Sequence, residues 1–401
     1  MNLLKISWAN IKSKPLNASL SLLLLAFGIG LISLLMLIQG QLTSKFEKNI
    51  NDIDMVLGAK GSPLQLILSA VYQVDAPTGN ISYKDAQRIM KNPLIDDAIP
   101  LAYGDNYKKY RIVGTNEKYP NHYKAKLAEG SLWKKSFEVT IGSKVAKESG
   151  LKIGGKFYSS HGLDQEGEAH EDHSFHVVGI FEPSGTVIDQ LILTRISSIW
   201  EVHNHDEHNH DHKDNEIHEE KDKEITAVLL KKRSPMALVM LPNQLRETNM
   251  QLALTAIEVN RLTANFGIGM KALSIIGIIV VIISFISVFI SLYNSLKERK
   301  YELALIRTIG GSRISLFTLI LYEGLIIALV GFLLGILFSR IGLLVLSYYM
   351  EDSFQYSLTD LGWTSGETAL LVITLSVGVL ASFLPAYQAI KIDISKTLTN
   401  G

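Results

Sequence analysis

Four long runs without charge dominate the alternation of polar and apolar positions. Lys14 and Lys45 bracket thirty uncharged residues that include Leu22–Leu25 and Leu31–Ile38. Lys271 and Lys297 bracket a second run, containing Ile275–Ile283 and Phe285–Leu292. A third extends from Ile314 to Arg340 with Glu323 as its one internal charge and continues apolar to Met350, and the fourth lies between Glu367 and Lys391. A helix rises about 1.5 Å per residue, so each run exceeds the roughly 20 residues that cross about 30 Å of hydrocarbon. The pattern predicts transmembrane helices at 16–44 and at about 270–296, 314–347 and 368–390. The first run is too long for the apolar core of a signal peptide and lacks a small-residue cleavage site, so it reads as an uncleaved anchor. Ahead of it, within residues 1–15, Leu4, Trp8 and Ile11 share a helical face with Lys5 and Lys12 beside it. This suits a helix lying on the membrane surface until Pro15 breaks it.

Residues 45–266 have a different texture. Short β-branched and aromatic stretches bounded by Gly, Pro or Asp predict strands at Lys109–Val113, Lys156–Tyr158, Phe175–Phe181 and Ala227–Leu230. Helical patterns occur at Ser82–Lys91 and at Ser143–Gly150, the second closed by its glycine. Gln41–Asn51 is expected to prolong the first membrane helix, and Arg246–Phe266 to form a helix leading into the second. The fold class is therefore an α-helical membrane protein with four transmembrane helices and a large extracytoplasmic α/β (α+β) domain inserted between helices 1 and 2.

Charge orients this arrangement. Lys5, Lys12 and Lys14 precede the first run; Lys297, Arg299, Lys300, Arg307 and Arg313 separate the second and third; Lys391 and Lys396 follow the fourth. The loop between the third and fourth runs holds Glu351, Asp352, Asp360 and Glu367 and no Lys or Arg. Basic segments stay in the cytoplasm, so both termini are expected inside and residues 45–266 outside. The chain has no cysteine, which excludes disulfides and thiolate chemistry, and a formal net charge of zero, which argues against nucleic acid. Gly150-Leu-Lys-Ile-Gly-Gly155-Lys156-Phe157 approaches a phosphate-binding loop, but it follows a helix, precedes a strand, and has Phe157 where magnesium needs a hydroxyl. It reads as a turn. No site for hydrolysing ATP and no catalytic constellation stands out, so the chain is read as a non-enzyme.

The stretch Lys297-Glu-Arg-Lys-Tyr-Glu302-Leu-Ala-Leu-Ile-Arg307-Thr-Ile-Gly310-Gly311-Ser312 is followed by Leu321-Tyr-Glu323-Gly324 and by Gly331 and Gly335. The chain closes on Pro385-Ala386-Tyr-Gln-Ala389, with Ser395 and Leu398 beyond. These segments resemble the FtsX-like permease family, the membrane subunits of ABC transporters of the MacB and lipoprotein-releasing type. Ile141-Gly142-Ser-Lys-Val-Ala146 and Val178-Gly179-Ile-Phe are similar to the MacB-like periplasmic core. The resemblance implies a dimer, of identical or different permeases, bound to a separate ABC ATPase that carries the ATP and magnesium. It also implies a place in a bacterial inner membrane with both termini cytoplasmic, a periplasmic partner and contact with membrane lipid, and ATP-driven motion transmitted to the external domain. A lipoprotein-releasing permease and a non-transporting metal sensor are the alternatives.

Within this frame Glu298, Tyr301, Glu302, Leu305, Arg307, Gly310 and Gly311 are the candidate ATPase-coupling residues. Glu298 and Glu302 are spaced i, i+4, Tyr301, Leu305 and Ile309 can share a face, and the two glycines permit a turn. Glu323 lies roughly 15 Å of helix beyond Arg313, at a depth where an acid must be protonated, paired or hydrated. Its expected role is a hydrogen bond at a helix interface rather than proton coupling. Gly331-x-x-x-Gly335 allows another helix to approach closely and is the candidate dimer seam.

The departure from the family is an insertion at 203–224 with six histidines, His203, His205, His208, His210, His212 and His218, among acidic residues. A sparser group has His161, His170, His173 and His176. Imidazole with carboxylate favours zinc, and the alternating spacing suits a multivalent capture loop rather than one closed site. Protons compete for the same nitrogens, whose unperturbed pKa is about 6.5. Calorimetry on the external domain should therefore show more than one zinc bound at pH 7 with modest affinity. Binding should weaken sharply below about pH 6.5 and be mostly lost on deleting Val202–Lys223. Equal zinc stoichiometry in the intact and deleted domains would place the metal elsewhere.

Overall fold

The computed structural model describes residues 3–13, 15–160, 169–206, 223–354, 358 and 360–391. The chain divides into two compact units. Thr43–Asn265 form a head, and Met1–Leu42 with Phe266–Gly401 form a helical bundle.

The head's described strands are β1 (Met55–Ala59), β2 (Ile81–Ser82), β3 (Ile95–Tyr107), β4 (Tyr110–Thr115), β5 (Leu127–Gly130), β6 (Glu138–Ile141), β7 (Lys156–Ser160), β8 (Ala169–Phe181), β9 (Leu191–Arg195), β10 (Glu224–Ile225), β11 (Ala227–Lys232) and β12 (Met250–Leu254). Helices α1 (Pro63–Ala70), α2 (Tyr83–Met90), α3 (Lys118–His122), α4 (Ser143–Ser149), α5 (Ile196–Asp206) and α6 (Ala237–Gln244) lie between them. Ten strands form one mixed sheet in the order β12-β1-β11-β3-β4-β9-β6-β8-β5, with β7 pairing β3 and β8. The β4/β9 and β6/β8 pairs are parallel and the rest antiparallel. A short β10–β2 pair stands apart.

Both faces of this sheet are covered, which explains why its central strands read as unbroken apolar runs. Side chains alternate between the faces with period 2. Met55 and Leu57 of β1, with Val228 and Leu230 of β11, enter one core. Val56, Ala227 and Leu229, between them in sequence, enter the other. The four expected strands fall on β4, β7, β8 and β11, and the two expected helices on α2 and α4. Gly150 caps α4 in the left-handed region at φ 75°. The phosphate-loop look-alike is thus the turn between α4 and β7. At Gly142 a Cβ would fall 2.3 Å from the carbonyl oxygens of Ile188 and Asp189, so a side chain there cannot be accommodated without backbone movement.

Arg246–Phe266 is not one helix. Met250–Leu254 form the edge strand β12 against β1, and the helix starts only at Thr255. The reason is visible as alternation: Met250, Leu252 and Leu254 all join one core cluster while Ala253 joins the other.

The bundle contains an N-terminal helix (Leu3–Ser13), span 1 (Pro15–Ile50), span 2 (Thr255–Glu298), a connecting helix (Lys300–Thr308), span 3 (Arg313–Phe354) and span 4 (Ser365–Ile390). The four spans are each long and apolar enough to cross a membrane. Small residues set their contacts. A Cβ at Gly331 would fall 2.7 Å from Leu25, and one at Gly335 would fall 2.9 Å from the carbonyl of Ala26. Span 3 therefore lies directly on span 1. Gly324 and Gly378 bring spans 3 and 4 together in the same way. In the apolar window of span 2 only 17% of residues are buried, against 50% for spans 1 and 3, so span 2 presents the most surface outward.

Candidate functional site

The connecting helix has two unlike faces. Leu303 and Ala304 are buried with Leu296, Leu316, Leu319 and Ile320. On the opposite side Tyr301, Leu305 and Ile309 are 50%, 46% and 80% exposed. The spacing of these three residues, four apart, keeps them on one stripe as the sequence suggests. Gly310, at φ 102°, ends the helix, and the amide of Gly311 donates to the carbonyl of Ile306 at 2.9 Å. This tight reversal leads into span 3. Glu298 closes span 2, Glu302 is exposed on the first turn of the connecting helix, and Arg307 lies in its last turn.

Arg299, at the junction of span 2 and the connecting helix, holds this element to the bundle. Its Nε donates to Glu302 Oε2 at 2.9 Å, and its Nη1 reaches Glu323 Oε1 at 3.4 Å. Nη2 donates to Asn10 Oδ1, and Asn10 Nδ2 donates to Glu323 Oε1 at 2.6 Å. The carboxylate of Glu323, only 5% exposed, is thus paired with a guanidinium and hydrogen-bonded to an amide from the N-terminal helix. Ser7 adds a hydrogen bond to the carbonyl of Leu319 at 3.1 Å. The N-terminal helix consequently packs on span 3 through Ser7, Asn10, Ile6 and Ile11. Leu4 and Trp8 stay half exposed. Ile11 therefore does not share their outward face, as the sequence had suggested.

A second charge cluster occupies the other end of span 3. Arg340 Nη1 and Nη2 donate to Glu367 Oε1 and Oε2 at 2.7 and 2.9 Å, a bidentate pair in which Glu367 is fully buried. Ser33 of span 1 donates to the same carboxylate at 2.6 Å and lies 3.0 Å from the Ser339 hydroxyl, and Arg340 also donates to the carbonyl of Gly362. Glu323 and Arg340 are separated by roughly 25 Å of helix, so span 3 carries one ion pair near each end.

The MacB-like periplasmic core domain model matches residues 18–239, and the FtsX-like permease C-terminal model matches residues 274–394. The chain belongs to this permease family. Among solved structures, the periplasmic region of MacB from Actinobacillus actinomycetemcomitans aligns at 12% identity over 54% of the permease and 97% of that chain, with a TM-score of 0.35. The extracellular domain of the noncanonic ABC-type transporter YknZ from Gram-positive bacteria aligns at 10% identity over 49% and 98% of the two chains, with a TM-score of 0.32. No curated protein sequence matches the permease.

In the permease, Gly331 and Gly335, the pair expected at a dimer seam, pack within the chain against Leu25, Ala26 and Ile29 of span 1. The partners of Glu323 and the whole Arg340–Glu367 cluster escaped sequence reading. The Thr364-x-x-Glu367 capping pattern was the one local signal, and Glu367 Oε2 does accept from the amide of Thr364 at 3.0 Å. Of the expected metal ligands, His203 and His205 fall at the end of α5, where side chains lie outside the description. His208, His210, His212 and His218 lie outside the described residues altogether. Among the described residues no three potential ligands gather. Val202, 5% exposed, belongs to the core, so a deletion aimed at the insertion should begin at His203.

The Arg299–Glu323 pair makes a sharp prediction. Arg299→Ala leaves a buried carboxylate without its cation and should cost about 3 kcal/mol or more. Glu323→Gln keeps an acceptor for Asn10 and should cost much less. The double variant should be more stable than Arg299→Ala alone, as read by thermal unfolding in mild detergent. Equal losses in Arg299→Ala and the double variant would contradict the pairing.

Proposed function

We propose that this permease is the membrane subunit of an ABC transporter complex in which a separate ATPase docks on the connecting helix and drives motion of the external domain. The observation that carries the reading is the exposed stripe of Tyr301, Leu305 and Ile309 on a helix whose opposite face is packed against the spans. In a basic loop beside the membrane, such a stripe has no hydrocarbon to cover it, and it fits a groove on a soluble partner. The rigid backing matters equally. A push on the stripe is delivered through Leu303 and Ala304 to spans 2, 3 and 4, and through Arg299 to the N-terminal helix. Both termini would face the ATPase and residues 45–266 would lie on the other side. A second permease copy would complete the assembly. Zinc capture by the external insertion is part of the proposal on the strength of the histidine pattern.

Leu305→Asp tests this directly. A carboxylate placed in an apolar docking contact opposes association, whereas an exposed position in the free permease tolerates it. Affinity purification from membranes of the native host should recover at least tenfold less ATPase activity with the variant, at unchanged thermal stability. Full recovery of ATPase with Leu305→Asp and with Glu302→Lys would remove the connecting helix from the coupling role.

A further inference from the structure

A cleft of about 500 Å³ opens within the head between the last turns of the span-1 helix, the first turns of the span-2 helix, and α6. Phe46, Ile50, Leu238, Leu254, Ile257 and Val259 line it. Both its size and its apolar lining are those of pockets that hold small molecules. Polar groups enter in pairs of opposite sign: Asp54 with Lys232, both lining the cleft, and Asp52, which also lines it, with Lys231 at 3.1 Å. The apolar surface continues past the opening. Ile257 is 52% exposed, and next to Leu238 the side chains of Met236, Val239 and Met240 are 59%, 66% and 43% exposed. Exposed apolar surface adjoining a pocket marks an interaction site rather than scattered surface variation.

We propose that this cleft holds one acyl chain of a zwitterionic phospholipid, with the headgroup at the Lys232–Asp54 and Lys231–Asp52 pairs. Four observations select that occupant. The lining is mostly apolar, with Thr43, Glu47, Asn260 and Thr263 on the helical walls and the charges of Asp52, Asp54 and Lys232 gathered beside β1 and β11, which suits a tail and a head. Those pairs set cation and anion side by side, complementary to a phosphate and an amine on one headgroup. Lys231 and Asp52 keep 43% and 72% of their side-chain surface exposed, so they remain open to a ligand. Finally, the span-2 helix is unbroken from Thr255 to Glu298, so the helix that lines the cleft with Ile257 is the same one that runs through the membrane. The inference does not depend on the coupling role proposed above.

Full-length permease in nanodiscs, containing phosphatidylethanolamine with a diazirine near the end of one acyl chain, provides the test. Photolysis and peptide mapping should place adducts on Phe46–Ile50 and Leu254–Val259. Thr43 and Ala256 are exposed on the two helical walls, so Thr43→Trp and Ala256→Trp block the cleft from independent sides. Each should reduce cleft adducts at least fivefold while labelling of Ile275–Ile290 in span 2 stays constant. Cleft labelling at background, or labelling indifferent to both tryptophans, would overturn the proposal. So would a free diazirine fatty acid labelling the cleft where the phospholipid does not, or a crosslink from the cleft to a second copy of the chain.

Discussion

Charge in hydrocarbon must be matched by charge or hydrogen bonds from the protein itself, and the bundle is organised around that demand. Span 3 carries Glu323 toward one end and Arg340 toward the other. Glu323 is met by Arg299 and Asn10, from the junction of span 2 with the connecting helix and from the N-terminal helix. Arg340 is met by Glu367 of span 4, which Ser33 of span 1 also contacts. Satisfying these two groups therefore brings every helical segment of the bundle into contact with span 3 or its partners. The glycine contacts at Gly331, Gly335 and Gly324 then close the distances that long polar side chains alone would leave loose.

The head answers a different constraint with comparable firmness. Its sheet is buried on both faces, and the end of the span-1 helix is held inside it. Asn49, 2% exposed, accepts from the amide of Val187 at 3.1 Å through its side chain and from the hydroxyl of Tyr123 at 3.3 Å through its carbonyl. Phe46 packs edge-on against Tyr72 at 5.0 Å. At the other stalk, the amide of Thr255 donates to the carbonyl of Asp54 at 3.1 Å, fixing the first residue of span 2 to the start of β1. The head ends of both helices are thus tied into the head by buried hydrogen bonds.

How much of this could be read from the chain depended on range. The spans were legible because length and lack of charge are local properties, and Tyr301, Leu305 and Ile309 were legible because helical spacing is local too. The strands on β4, β7, β8 and β11 showed through their composition. Met250–Leu254 was missed because a short alternating edge strand beside a 44-residue helix looks like that helix's first turns. Glu323 was recognisable as an acid needing a partner, but Asn10 lies over three hundred residues away, and no local rule reaches that far. Arg340 interrupted an apolar run with no partner in view, and Glu367 and Ser339 supply its environment. Gly331 and Gly335 announced a close approach without saying to what, and the contact seen is with span 1 of the same chain.

The central claim is that the outer stripe of the connecting helix faces an ATPase on the side of the membrane that holds both termini. Because the chain has no native cysteine, Leu305→Cys and Leu303→Cys can be labelled individually with a membrane-impermeant maleimide. In inside-out vesicles the account predicts that Cys at position 305 reacts readily, that Cys at position 303 does not, and that adding back the ATPase protects position 305. In right-side-out vesicles neither should react. Labelling of position 305 from the outside, or reactivity indifferent to the ATPase, would contradict it.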